Sequence, residues 1–194
     1  MLKKEKEVLC RMIMVKEKYI EVMEVFNVVK IEQLNSTEEH MEELSELLVQ
    51  VVDDGASIGF LPPIQLLDAI EYWEDVLKPE VILFVAKRNN RIVGSVQLHL
   101  CNKPNGLHRA EVAKLMTHPH YRRNGLGRLL MEKAEERALK EGRSLLVLDT
   151  REGDPSNHLY TSLDYILAGK IPNYAISATG EIHATIFYYK IIHE

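Results

Sequence analysis

Arg122-Arg123-Asn124-Gly125-Leu126-Gly127 stands between an apolar stretch that reads as a strand, Glu111-Val112-Ala113-Lys114-Leu115-Met116-Thr117, and an amphipathic run that reads as a long helix starting near Leu126. Two glycines let the backbone turn tightly and approach a ligand closely. Peptide N–H groups then converge beside the positive end of a helix dipole. Arg122, Arg123 and Arg128 add charge suited to paired phosphates. The physical reading is a pyrophosphate cradle. The plain alternative is a glycine-containing strand-to-helix loop with solvated arginines, because short glycine motifs are common.

Working outward, residues 26–34 read as a first strand, and Thr37-Glu38-Glu39 supplies a cap and first-turn acids for a helix. Met41, Leu44, Leu47, Leu48, Val51 and Val52 recur at helical spacing along it. Residues 53–60 break the helix, and Pro62-Pro63 introduces a second one over residues 64–76. Residues 81–87 and 92–100 form a hairpin about Arg88-Asn89-Asn90-Arg91. The central strand over residues 109–117 leads through the glycine loop into a helix that Gly142 stops. Residues 145–149 read as a strand, 155–163 as a short helix, and 165–171 and 182–189 as two closing strands.

Strand, glycine loop, helix and strand in that order demand a parallel crossover, while the preceding hairpin demands antiparallel pairing. The expected fold is α/β: a mixed, mostly antiparallel sheet of about seven strands, with helices on both faces and a central parallel pair. The glycine loop then lies at the carboxyl end of a central strand, where open α/β sheets commonly place ligands.

The chain has 194 residues, 46% of them hydrophobic and 27% charged, which suits one globular domain with an appended arm. Residues 1–25 are dense in Lys and Glu and read as a charged, helical extension rather than a signal peptide; residues 26–194 form the domain. A net charge of −5 argues against a nucleic-acid partner. No run is apolar and long enough for a membrane span. Cys10 and Cys101 lie far apart, outside metal spacing, and point to a reducing cytoplasmic setting. His108, His118, His120 and His158 lack a compact ligand pattern, so no metal is expected.

The pattern EVAKLMTHPHYR followed by Arg122-x-x-Gly125-x-Gly127 resembles the acyl-CoA-binding signature of the GCN5-related N-acetyltransferases (GNAT). The strand LLVLDT and the segment Leu159-Tyr160-Thr161-Ser162-Leu163-Asp164-Tyr165 are similar to that family's later motif. The runs VVDDGASIGFL, HRAEVAKLMTHPHYRRNGLG, LLVLDTREGD and GKIPNYAISATGEIHATIFYYK resemble the tabtoxin-resistance type of acetyltransferase within it. Two positions depart from the family pattern: its usual Gly-Phe is Asp164-Tyr165, and its frequent Asn seven residues before the tyrosine is Gly153.

The resemblance implies the GNAT fold and an acetyl-CoA cosubstrate. Its pyrophosphate would sit on Arg122, Arg123, Asn124, Gly125, Leu126, Gly127 and Arg128, and its pantetheine along Leu115, Met116 and Thr117. It further implies direct transfer to an amine, with Glu111 and Asp149 as general base through ordered water and Tyr160 as general acid toward the thiolate. Homodimers are common in the family. The residues alone leave alternatives: Glu111 paired with Arg109 or Lys114, Asp149 capping the turn that follows it, and Tyr160 as a packed helical tyrosine. Asp53, Asp54, Phe60 and Trp73 are the candidates for an acceptor pocket, with a helix end and core aromatics as the alternative. The expected activity is N-acetylation of a small-molecule amine, such as an amino-acid-like toxin or antibiotic. Protein or peptide acetylation and a non-catalytic acyl-CoA-binding module are the rivals. A nucleotide-binding phosphate loop would need a Gly-Lys-Ser/Thr ending that the stretch lacks.

Overall fold

The computed structural model describes residues 28–193. The expected N-terminal extension and the first residues of the expected first strand lie outside the described residues, as does Cys10. Among the described residues are seven strands and four α-helices: β1 (Val29–Leu34), α1 (Met41–Asp53), α2 (Leu66–Glu74), β2 (Val81–Arg88), β3 (Arg91–Leu100), β4 (Arg109–Thr117), α3 (Leu126–Lys140), β5 (Leu145–Arg151), α4 (Pro155–Ser162), β6 (Ile166–Ile176) and β7 (Ile182–Ile191). They form one sheet in the order β1-β2-β3-β4-β5-β7-β6. Every neighbouring pair is antiparallel except β4 and β5. The expected element order and mixed sheet are therefore observed.

Side-chain alternation along the strands feeds two cores. Leu83 and Val85 face one side, where they pack with Leu44, Leu47, Leu48, Val51 and Val52 of α1 and Ala69 and Trp73 of α2. Ile82, Phe84 and Ala86 face the other, against Leu130, Met131 and Ala134 of α3 and Tyr160 of α4. Burying each large aliphatic side chain of this kind contributes roughly 1.5–3 kcal/mol. The β2–β3 hairpin closes through Asn89 and Asn90, both at positive φ (53° and 60°), as a tight primed turn requires.

Two helix starts differ from expectation. Thr37 does not cap a helix; its hydroxyl donates to the carbonyl of Trp73 at 3.1 Å, and a short 3-10 turn precedes α1. The long-range bond to α2 outcompetes the local one. The second helix begins at Leu66, not at Ile64 after the prolines, because Gln65 and Asp68 form a reciprocal capping box there.

Candidate active site

β4 and β5 pair only at Arg109–Leu145, Ala110–Leu146 and Glu111–Val147, and then part. β5 stays in register with β7 as far as Arg151, so the sheet continues while a wedge opens beside β4. The cause lies in β4: Lys114 has φ 51°, and Lys114 and Leu115 together stand opposite Val96 alone. Such a bulge bends its strand and sharpens the local twist. The edge of β4 beyond Glu111 has no strand beside it on the β5 side. Leu115 is half-buried and Met116 is fully packed, so Leu115, Met116 and Thr117 present backbone rather than apolar side chains to a ligand on that edge.

The head of α3 lies at the end of this edge. Arg123 (φ 62°) and Gly125 (φ 77°) both turn left-handed, which curls the loop so that successive amides face inward. Among the described residues, the amides of residues 123–128 meet no protein acceptor, and the first acceptor pairing along α3 is Leu129 N–H to the Gly125 carbonyl. No acidic residue occupies the first turn. Gly127 serves packing: a Cβ there would lie 3.1 Å from Leu159 Cδ2 of α4. Asn124 bonds the carbonyls of Tyr121 and Arg122 at 3.2 Å and fixes the loop from inside. Arg128 reaches the Ser162 hydroxyl at 2.7 Å. Arg123 is exposed and makes no hydrogen bond or ion pair among the described residues. The arrangement is an anion cradle of free amides with a free guanidinium beside it.

Glu111 and Asp149 come from the two strands at the base of the wedge, and neither makes a hydrogen bond or ion pair among the described residues. Neither the Arg109 pairing for Glu111 nor the turn cap for Asp149 is formed; Arg109 instead points to Cys101 Sγ at 3.7 Å. Lost hydration first, then the neighbouring Glu111, raises the Asp149 carboxyl above its ordinary value, against an opposing pull from Lys114. Tyr160 is buried on α4, with its ring tilted against Tyr165 and Tyr188. Burial, and after it the charges of Asp149 and Asp154, push its phenol well above the usual value. Asp149 is thus coupled to Glu111 on one side and to Tyr160 on the other.

The acceptor-side candidates divide. Phe60 lies edge-on to Tyr72, with ring centroids 5.1 Å apart, and faces Lys114 of the bulge. Asp54 is engaged by Arg122 of the cradle in an ion pair, and Asp53 closes α1 as its last residue, exposed. Trp73 is wholly buried between the helices and donates to the Leu44 carbonyl at 2.9 Å, so its indole offers a ligand no surface. Its neighbour Tyr72 was not singled out by sequence. It accepts a bond from Gln97 at 2.6 Å, and Gln97 in turn meets His99, which stands across from Glu111. Among the described residues no group of three His, Cys, Asp or Glu gathers into a metal site, and no helix is long and apolar enough to cross a membrane.

The profile of the acetyltransferase (GNAT) family matches residues 33–165, more than half of the chain. The chain belongs to that family, and so is an acyltransferase by descent. Solved structures share the GNAT fold at low identity. One is the GNAT-family acetyltransferase of Streptococcus pneumoniae (20% identity, 85% of this chain and 100% of that one, TM-score 0.71). Another is a protein of Salmonella typhimurium with its cofactor acetyl-CoA (16%, 86% and 95%, 0.72). A third is the ribosomal-protein-S18-alanine N-acetyltransferase of Escherichia coli (20%, 86% and 96%, 0.66).

The two departures from the GNAT pattern differ in consequence. Asp164 adopts φ 63°, the left-handed turn that a glycine would take, and short acids tolerate that conformation. Tyr165 behind it is buried like the family's phenylalanine, so the end of α4 keeps its shape. Gly153, at φ 83° with open space around it, supplies no side-chain amide. Asn157 does not replace it, because its side chain is spent on Arg151, Asp154 and Tyr188.

Proposed function

We propose that the protein is an acetyl-CoA-dependent N-acetyltransferase that moves the acetyl group directly to the amine of a small molecule, an amino-acid-like toxin or antibiotic being the favoured class. The carrying observation is the parted β4–β5 pair, which sets a cradle of unpaired amides at one end and two unpaired carboxylates at the base. The cofactor of the Salmonella neighbour and the tabtoxin-resistance-like runs support the same reading.

In this reading the residues 123–128 amides and Arg123 hold the pyrophosphate, and the open edge of β4 pairs with the pantetheine as an added strand would. Glu111 and Asp149 draw the acceptor ammonium into the wedge and take its proton through ordered water. The nitrogen lone pair then attacks the thioester carbon. Backbone N–H groups on the β4 edge face the oxyanion of the tetrahedral intermediate. As the C–S bond breaks, Tyr160 gives its proton to the departing thiolate, and the second proton shed by the acylated nitrogen restores the phenol. Its raised pKa keeps that proton in place at neutral pH.

Incubation with acetyl-CoA and a panel of amines, following free thiol, tests the proposal. Turnover confined to peptides with free α-amines would replace the small-molecule acceptor by a protein one. Tight CoA binding with no thiol release from any amine would reduce the chain to an acyl-CoA-binding module.

A further inference from the structure

Lys114 sits at the bulge that parts β4 from β5, in a left-handed conformation (φ 51°) that lysine seldom adopts. Two contacts hold its ammonium against the acceptor-side loop. Nζ donates to the Ile58 carbonyl at 2.5 Å and lies 5.2 Å from the centre of the Phe60 ring. The loop wraps it closely: a Cβ on Gly59, itself at φ 86°, would come within 2.9 Å of Nζ. Asp149 and Glu111 both act on this cation electrostatically, yet neither closes an ion pair with it.

A half-buried ammonium with one carbonyl partner retains two further N–H donors. Glu111 and Asp149 are exposed and so hydrated in the free protein, and a ligand entering the wedge must replace that water for the acids and the ammonium together. A zwitterion does so on both sides, with its ammonium toward the acids and its carboxylate toward Lys114. A plain cationic amine satisfies the acids only and meets repulsion from the lysine.

We propose that Lys114 is a specificity-determining residue that binds the carboxylate of an amino-acid acceptor while Glu111 and Asp149 receive its ammonium. This rests on the N-acetyltransferase reading above and narrows its acceptor to amines that carry a nearby carboxylate. Phe60 and Tyr72 beside the lysine provide an apolar wall for the rest of such a molecule.

The test compares matched acceptors: lysine, lysinamide and cadaverine, and phenylalanine, phenylalaninamide and phenethylamine, each with acetyl-CoA and thiol release as readout. The wild type is expected to prefer the free acid by about tenfold or more in kcat/KM, the scale of one charge-assisted bond in a partly dry site. Lys114→Met collapses the ratio of acid to amide turnover, lowering the acids by far more than the amides and amines, and Lys114→Arg restores much of that ratio. Equal use of acid and amide by the wild type, or a preference that survives in Lys114→Met, overturns the role of Lys114 and leaves the N-acetyltransferase reading intact. Absence of turnover on every acceptor, with CoA bound, overturns that reading and this one with it. CoA affinity and the melting temperature of both variants separate loss of selectivity from loss of fold.

Discussion

Tyr160→Phe removes one oxygen and leaves the rest of the site standing, which makes it the sharpest probe of the proton to the thiolate. The ring stays buried with its tilted contacts to Tyr165 and Tyr188, at centroid distances of 6.0 and 5.8 Å. Truncation to Ala would instead open a cavity and cost about 3–5 kcal/mol, confounding chemistry with folding. Ser156 is paired with Thr150 at 2.8 Å and keeps that bond once the phenol oxygen is gone. The stability change should therefore stay within about 1 kcal/mol. A positioned general acid contributes about 10²–10⁴-fold, so kcat and kcat/KM should fall together by that factor, roughly 3–5 kcal/mol of barrier. CoA affinity should be unchanged, since no cradle atom is touched. The assay is thiol release under saturating acceptor, with CoA binding measured separately. A donor thioester with a more acidic thiol should recover part of the loss, because its thiolate needs the proton less. A variant within threefold of wild type would refute the assignment. Lost CoA binding with unchanged single-turnover chemistry would make Tyr160 a cofactor-positioning residue instead.

Asp149→Asn should lower kcat by about ten- to a hundredfold, with Glu111 left to take the proton. Its stability effect has a definite sign: the folded carboxyl titrates above its unfolded value, so the wild type loses stability as pH rises through the folded pKa. The Asn variant escapes that loss, and should be the more stable protein at neutral pH by an increment that shrinks as pH falls; a pH series of melting temperatures reads it. Gly127→Ala crowds Leu159 Cδ2 at 3.1 Å, which must give by a few tenths of an ångström, and should raise KM for acetyl-CoA modestly, whereas Gly125→Ala meets no atom and carries only the left-handed backbone cost of about 1–2 kcal/mol. Arg123→Ala should weaken CoA about tenfold in a salt-dependent way without moving the melting temperature, because Arg123 has no partner among the described residues.

What sequence made legible was local. The spacing of Leu44, Leu47, Leu48, Val51 and Val52 specifies a helix with one buried face, and Asn89-Asn90 specifies a primed turn, since short polar residues tolerate positive φ. The cradle was legible for the same reason: glycine and a helix start suffice to orient amides. The acceptor side was harder because its contacts are long-range. Asp54 reads as a carboxylate free for an amine until Arg122, 68 residues away, claims it. Trp73 reads as a pocket wall until two helices close over it. The bulge was not legible, because both faces of the sheet are covered: Leu115 packs on the α3 side and Met116 on the α1 side, so apolar residues suit either register.

That bulge also explains why donor and acceptor sites are not independent. The loop between α1 and α2 is tied to the donor framework at three points: Asp54 to Arg122 of the cradle, the Gly55 carbonyl to Arg151 at the end of β5 at 3.2 Å, and the Ile58 carbonyl to Lys114. Arg151 is itself fixed by Asp154 at 2.8 Å, at the entry to α4, which carries Tyr160. The loop, whose Ala56, Ile58 and Phe60 pack on the α1–α2 core, is thereby also held by the two strands that part. Acceptor geometry follows from how far β4 and β5 diverge, and Lys114 both causes that divergence and touches the loop. Arg122 is bound to Asp54 of the loop and to the Thr117 carbonyl, so under the proposed reading a pyrophosphate would compete with Asp54 for one guanidinium. Under the proposed reading, the half of the site that would recognise the amine is therefore built on the half that would recognise the anion.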